Sequence, residues 1–184
     1  MNLKSLTKKQ LILLIRIVIE RLKPKPRKDY EAFCLAMRMS ESSNNYEIVN
    51  AYGYLGAYQF GLARLCDLGY TERKPGTTGF SNSAFQWKEG YHEWMFLGNK
   101  VFQDRVFREH VVSLLKYIDR NFEEYFSKYI NGVLVTRSGM VGFAHLAGMS
   151  GLRKFLTTGA DPKDIVSGVP ATTYMKKFSN YNLT

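Results

Sequence analysis

The sequence predicts a mainly α-helical domain over residues 29–184, preceded by a basic helix and proline-rich linker at 1–28. Three observations carry this expectation. Phe107, Val111, Leu114, Leu115, Ile118, Phe122, Tyr125, Phe126 and Tyr129 recur at the spacings of a core-facing helix. Helix starts and stops recur along the chain: Thr7 with Gln10, Asp29, Gly69 and the pair Asp161-Pro162. Segments suited to strands are few, 133–136 and parts of 46–58. The 184 residues, 45% apolar and 23% charged, suit one globular unit with a sizeable core, which excludes disordered, collagen-like and coiled-coil chains.

The elements follow in order. Thr7 and Gln10 form a capping box opening a helix to about Leu22, where Pro24 and Pro26 end it and K-P-K-P-R-K makes a stiff basic linker. Lys9, Arg16, Glu20 and Lys23 share one stripe of that helix and most of the remainder is Leu, Ile and Val. So wide an apolar face ordinarily packs on the main domain; its other use is to dock on a membrane surface or a partner. Asp29 caps the next helix, where Tyr30, Phe33, Cys34 and Met37 recur up to about Ser40, and the polar E-S-S-N-N-Y follows. Gly53, Gly56 and Gly61 punctuate a turn-rich stretch before a short helix ending at Leu68, and 71–83 reads as a surface loop. From Lys100 one long helix, or two in series, must lie in the core. Glycine-bounded helices at about 139–147, 151–158 and 173–178 complete the chain.

Charge narrows the function classes. The net charge is +10, and nine basic side chains against the single acid Glu20 put +8 of it within residues 1–28. A nucleic-acid-binding domain spreads its basic residues over a docking face, so no specific nucleic-acid partner is expected; contact with an anionic membrane or envelope through 1–28 is. Arg16 interrupts the longest apolar run, which is too short to span a bilayer, and no small-residue cleavage site follows, so neither a transmembrane helix nor a cleavable signal is expected. Cys34 and Cys66 share no zinc-ligand spacing with His92, His110 or His145; no metal or other cofactor is expected, and both cysteines read as small apolar residues. The glycines of G-Y-L-G-A-Y-Q-F-G fit neither nucleotide-binding fingerprint. They do expose backbone beside Tyr52, Tyr54, Tyr58 and Gln59, and aromatic faces with amide groups are suited to sugar rings. Trp87 and Trp94 could stack on sugars as well, although core packing is the commoner use of a tryptophan.

Glu41 stands where a buried amphipathic helix gives way to a loop, which can leave a carboxyl half in apolar surroundings. The string it opens, E-S-S-N-N-Y-E-I-V-N-A-Y-G-Y-L-G-A-Y-Q-F-G, resembles the catalytic segment of the lysozyme-like lytic transglycosylases and phage muramidases, with E-S followed by a glycine, two residues and Gln. Gly56-Ala57-Tyr58-Gln59 stands where that family has G-L-M-Q, Phe143-Ala144-His145-Leu146-Ala147-Gly148 where it has A-Y-N-A-G, and Tyr174 matches a late tyrosine. The likeness covers about 29–181. Glu41, Ser42 and Gln59 match unchanged; Tyr58 replaces Met, His145 replaces Tyr, and Leu146 replaces an Asn that would contact substrate.

The resemblance implies a fold like that of goose-type lysozyme and soluble lytic transglycosylases. It implies cleavage of the β-1,4 bond between N-acetylmuramic acid and N-acetylglucosamine in peptidoglycan, with the glycan strands as partner and the cell wall as the place of action after cytoplasmic synthesis. Glu41 would be the general acid and base, Ser42 would support its carboxyl, and Ser42, Tyr58, Gln59, His145 and Tyr174 would form the substrate-binding set, although His145 could instead hydrogen-bond within the core. Such chemistry needs a carboxylic acid protonated near neutrality, and an apolar pocket can raise a glutamate from ~4.3 toward ~6. A lytic transglycosylase needs no second carboxylate. A hydrolytic muramidase does, with Glu47 first and Glu93 and Asp104 behind it. A glycan-binding or secretion- or tail-machine component that kept the fold without activity is the remaining alternative.

Overall fold

The computed structural model describes residues 7–22, 28–164 and 167–183, those from 19 to 22 by backbone alone. Of the basic segment, Lys4 and most of the linker at 23–28 lie outside the described residues. The described chain is mainly helical: α1 (Lys8–Leu22), α2 (Tyr30–Ser42), α3 (Leu62–Asp67), α4 (Glu93–Leu97), α5 (Lys100–Asn121), α6 (Arg137–Thr158) and α7 (Ala171–Lys177). Two small antiparallel pairs accompany them, β1 (Thr71–Arg73) with β2 (Phe85–Trp87) and β3 (Tyr129–Ile130) with β4 (Val133–Leu134).

Two caps sit where the sequence places them: Thr7 and Gln10 bond reciprocally at the start of α1, and Asp29 accepts from the Ala32 amide at 2.9 Å. The structure adds Asn99, which accepts from the Phe102 amide at the start of α5. The amphipathic stripe of α5 is the axis of the core. Phe107 stacks on Tyr58 with ring centres 3.9 Å apart and on Phe33 of α2 at 6.1 Å, and Phe33 meets Phe178 edge-on. Gly142 lets α6 approach the end of α7, since a Cβ there would stand 2.6 Å from the Phe178 ring. That approach, with Met175 and Ala171 buried on α7, seats Tyr174 beside the end of α2.

Of one long helix or two in series expected from Lys100, the first is found: the helical rhythm continues through Phe122 and Tyr125, but the chain leaves α5 at Phe122 (φ −138°, ψ 14°) and makes a single 3₁₀ turn. Other expectations are corrected. The segment 71–83 is not wholly a loop: Thr71 is buried, donates to the Leu62 carbonyl at 2.7 Å, and opens β1. The two glycine-bounded helices expected at about 139–147 and 151–158 are found as the two stretches of α6, which meet at a kink at Gly148 (φ 69°, ψ 171°). The apolar face of α1 does not pack on the domain, since every residue from 7 to 18 except Leu14 is exposed. Lys28, by contrast, is tied to the domain: its carbonyl accepts from the Asn182 amide at 2.6 Å and its ammonium lies 3.9 Å over the Tyr181 ring.

Candidate active site

Phe33, Met37 and Glu41 stand four residues apart on α2, so they share the face that meets the core. The first two are buried in it, and the third, one turn further, ends the stripe with a side chain only 12% exposed. Ser43 (φ 54°) and Asn44 (φ 65°) then turn the chain out of the helix. Ser42 does not touch Glu41, contrary to the supporting role expected of it. Its hydroxyl donates to the Ala57 carbonyl at 2.9 Å and accepts from the Asn45 amide at 3.0 Å, which pins the end of α2 to the glycine loop.

That loop is held from beneath by Gln103, a buried polar residue in the apolar stripe of α5. Its carbonyl oxygen accepts from the Ala57 amide at 2.9 Å, and its Nε2 donates to the Tyr46 and Phe96 carbonyls at 2.8 and 2.9 Å. Gly56 (φ 71°) is required there twice over: by its left-handed backbone, and because a Cβ would fall 2.1 Å from Gln103 Oε1. Gln59 reaches the cavity, with its Nε2 also donating to Gly56 O at 3.0 Å. Tyr58 faces the other way. Its ring is wholly buried and its hydroxyl donates to Asp104 at 2.6 Å, so the expectation that its side chain contacts substrate is not met; only its carbonyl faces the site. The ring instead stacks on Phe107 in the core.

A chain of hydrogen bonds runs from Tyr58 O into the core beside Glu41. His145 Nε2 lies 3.0 Å from that carbonyl and 3.8 Å from Glu41 Oε1, His145 Nδ1 lies 3.0 Å from His110 Nε2, and Arg64 Nε donates to His110 Nδ1 at 2.8 Å. Arginine can only donate, so His110 Nδ1 accepts and its Nε2 carries the proton. His145 then accepts at Nδ1 and donates from Nε2. Burial, foremost, pushes both imidazoles below their usual range; the Glu41 charge opposes this at His145, and Arg64 adds to it at both. His145 is therefore a neutral donor beside the carboxyl. On the other flank, Tyr174 donates to Glu41 Oε1 at 2.8 Å. Burial and then the Glu41 charge hold that phenol well above its ordinary value, so it keeps its proton.

Glu41, Gln59, His145 and Tyr174 line one cavity of about 260 Å³, together with Asn50, Tyr54 and Asp164. A second cavity of about 380 Å³ shares Tyr54, Gln59 and His145 with it and continues past Asn82 and Phe80. Four of the expected site residues thus converge, although Tyr174 is 133 positions from Glu41. None of the expected second acids lines either cavity: Glu47 and Glu93 are exposed, and Asp104 accepts from Tyr46, Tyr58 and Arg38. Asp164 does line the first. Its Oδ2 accepts from the Ser167 amide and hydroxyl, both at 2.7 Å. Trp87 packs against Phe96, and Trp94, 71% exposed, stacks on His92. Among the described residues no cluster of His, Cys, Asp or Glu is arranged to hold a metal ion, and both cysteines are free.

A signal for Gln103 and His110 was present in the sequence, since 103, 107, 110 and 114 follow one helical face and a polar residue on a core face must have partners. Asp164 and Arg64 carry no such signal. No family model, curated protein or solved structure matches the chain.

Proposed function

We propose that this chain is a lysozyme-like enzyme that cleaves the β-1,4 bond between N-acetylmuramic acid and N-acetylglucosamine in peptidoglycan, acting at the cell wall. The observation that carries the reading is Glu41 itself: a nearly buried carboxyl at the edge of a cavity, oriented by the Tyr174 hydroxyl and flanked by a neutral imidazole. In this reading the protonated Glu41 gives its proton to the leaving glycosidic oxygen as the bond to the muramic C1 breaks and oxocarbenium character develops. The resulting carboxylate then takes the proton of the same sugar's 6-hydroxyl, whose oxygen bonds to C1. The product is a 1,6-anhydro sugar and no water is consumed. Gln59, Asn50 and Tyr54 offer amide groups and an aromatic face along the cavity wall for the sugar hydroxyls and rings.

A second reading, hydrolysis with a paired carboxylate, is supported by Asp164, which lines the same cavity and whose Oδ2 is fixed by Ser167. Mass spectrometry of muropeptides released from purified cell walls separates the two. Transglycosylation gives ends lighter by one water than hydrolysis does, and Asp164→Asn then lowers the rate little. Reducing muramic acid ends, with activity collapsing in Asp164→Asn, would establish the hydrolase, and release of no muropeptides at all would contradict both.

A further inference from the structure

We propose that α1 is a surface anchor for anionic phospholipid, lying along the bilayer with Leu11, Ile12, Leu14, Ile15 and Val18 in the boundary between headgroups and acyl chains. The domain leaves this helix uncovered: Leu11, Ile12, Ile15 and Val18 are 42–49% exposed. At 1.5 Å per residue its fifteen residues reach about 22 Å, short of the ~30 Å of a hydrocarbon core, and no helix among the described residues is long and apolar enough to cross one. Lying flat remains. Lys9 and Arg16 occupy the stripe opposite the apolar face, and the flanking sequence brings residues 1–28 to nine basic side chains against one acid. That charge selects the occupant. A second copy of α1 would bring two segments of +8 together, whereas lipid phosphates give lysine and arginine an opposite charge and hydrogen-bond acceptors.

The test is cosedimentation of the full chain with vesicles of phosphatidylcholine alone, or mixed three to one with phosphatidylglycerol, at low and high salt. Partitioning into the mixed vesicles should be at least about tenfold stronger than into the neutral ones and should fall as salt rises. The double variant Leu11→Glu with Ile15→Glu should lose about tenfold or more of that binding with its thermal midpoint unchanged, because both positions are exposed. Replacing Lys8, Lys9 and Arg16 by Gln, which leaves residues 1–28 at +5, should weaken the preference for phosphatidylglycerol by about tenfold or more while binding to both vesicle types persists. Equal partitioning into the two lipids by the wild-type chain overturns the proposal. So does wild-type binding by the glutamate variant, or a concentration-dependent dimer that the glutamates dissolve while the wild-type chain leaves vesicles unbound. None of these readouts depends on glycan cleavage.

Discussion

Glu41 owes its position to a four-residue rhythm that a reader of the sequence can follow from Phe33 through Met37, so the central residue of the site was legible. What surrounds its carboxyl was only partly so. His145 and Tyr174 converge on it through the resemblance and the fold together, whereas Asp164 comes from a turn with no periodicity to mark it. A tyrosine in a glycine loop can point either way, so the sequence does not show that the Tyr58 ring stacks on Phe107 and leaves only its carbonyl toward His145. The buried histidines have a consequence for pH. Both are held neutral in the fold with pKa values below the unfolded ~6.5, so the unfolded chain binds more protons as pH drops beneath that value. Their share of stability is fully present above about 6.5 and is lost as pH falls toward the folded values. Thermal midpoints should therefore hold from pH 8 to 7 and decline between about 6.5 and 5.5, with a shallower decline in His110→Gln. Long-range hydrogen–nitrogen NMR at pH 7 should find the His145 proton on Nε2. A flat stability profile in both proteins, or a proton on Nδ1, would contradict the hydrogen-bond chain.

At the scale of elements, α2 was readable because its cap and its apolar spacing agree, α5 from its apolar spacing, and α6 because glycines mark both its halves. The β1–β2 pair was not. Strands of three residues are too short to show alternation, and the charged T-E-R-K sequence hides the buried Thr71 that anchors the first of them. Gln103 links element to site, since one amide side chain holds the glycine loop, the Tyr46 turn and the end of α4 against α5. Gln103→Leu would strand the Ala57 amide and the Tyr46 carbonyl, while the Phe96 carbonyl keeps the Asn99 amide at 3.4 Å, and each unsatisfied buried group costs about 1–3 kcal/mol. Allowing for relaxation, urea unfolding should show a loss of about 2–5 kcal/mol, with cleavage lost along with the loop geometry. A change under about 0.5 kcal/mol would mean that the loop stands without this staple.

For the whole molecule, the excess charge lies in residues 1–28 and the cavity lined by Glu41 lies in the domain that follows. The exposed surface of α1 means that this domain does not draw on it for its core, whereas Lys28, which bonds to Asn182 and covers Tyr181, belongs with the domain. Removal of residues 1–27, keeping Lys28, should leave the melting transition and the turnover of short soluble glycans close to those of the full chain. An insoluble or unfolded product would instead make α1 part of the core. The proposed cleavage depends on the carboxyl that ends α2, and the most direct test is the rate at which purified peptidoglycan is cleared by Glu41→Gln. The substitution keeps the size and hydrogen-bonding reach of the side chain and removes its transferable proton, so a folded variant should clear the wall at least ~10²-fold more slowly than the wild-type chain. Clearance by Glu41→Gln at close to the wild-type rate would contradict it.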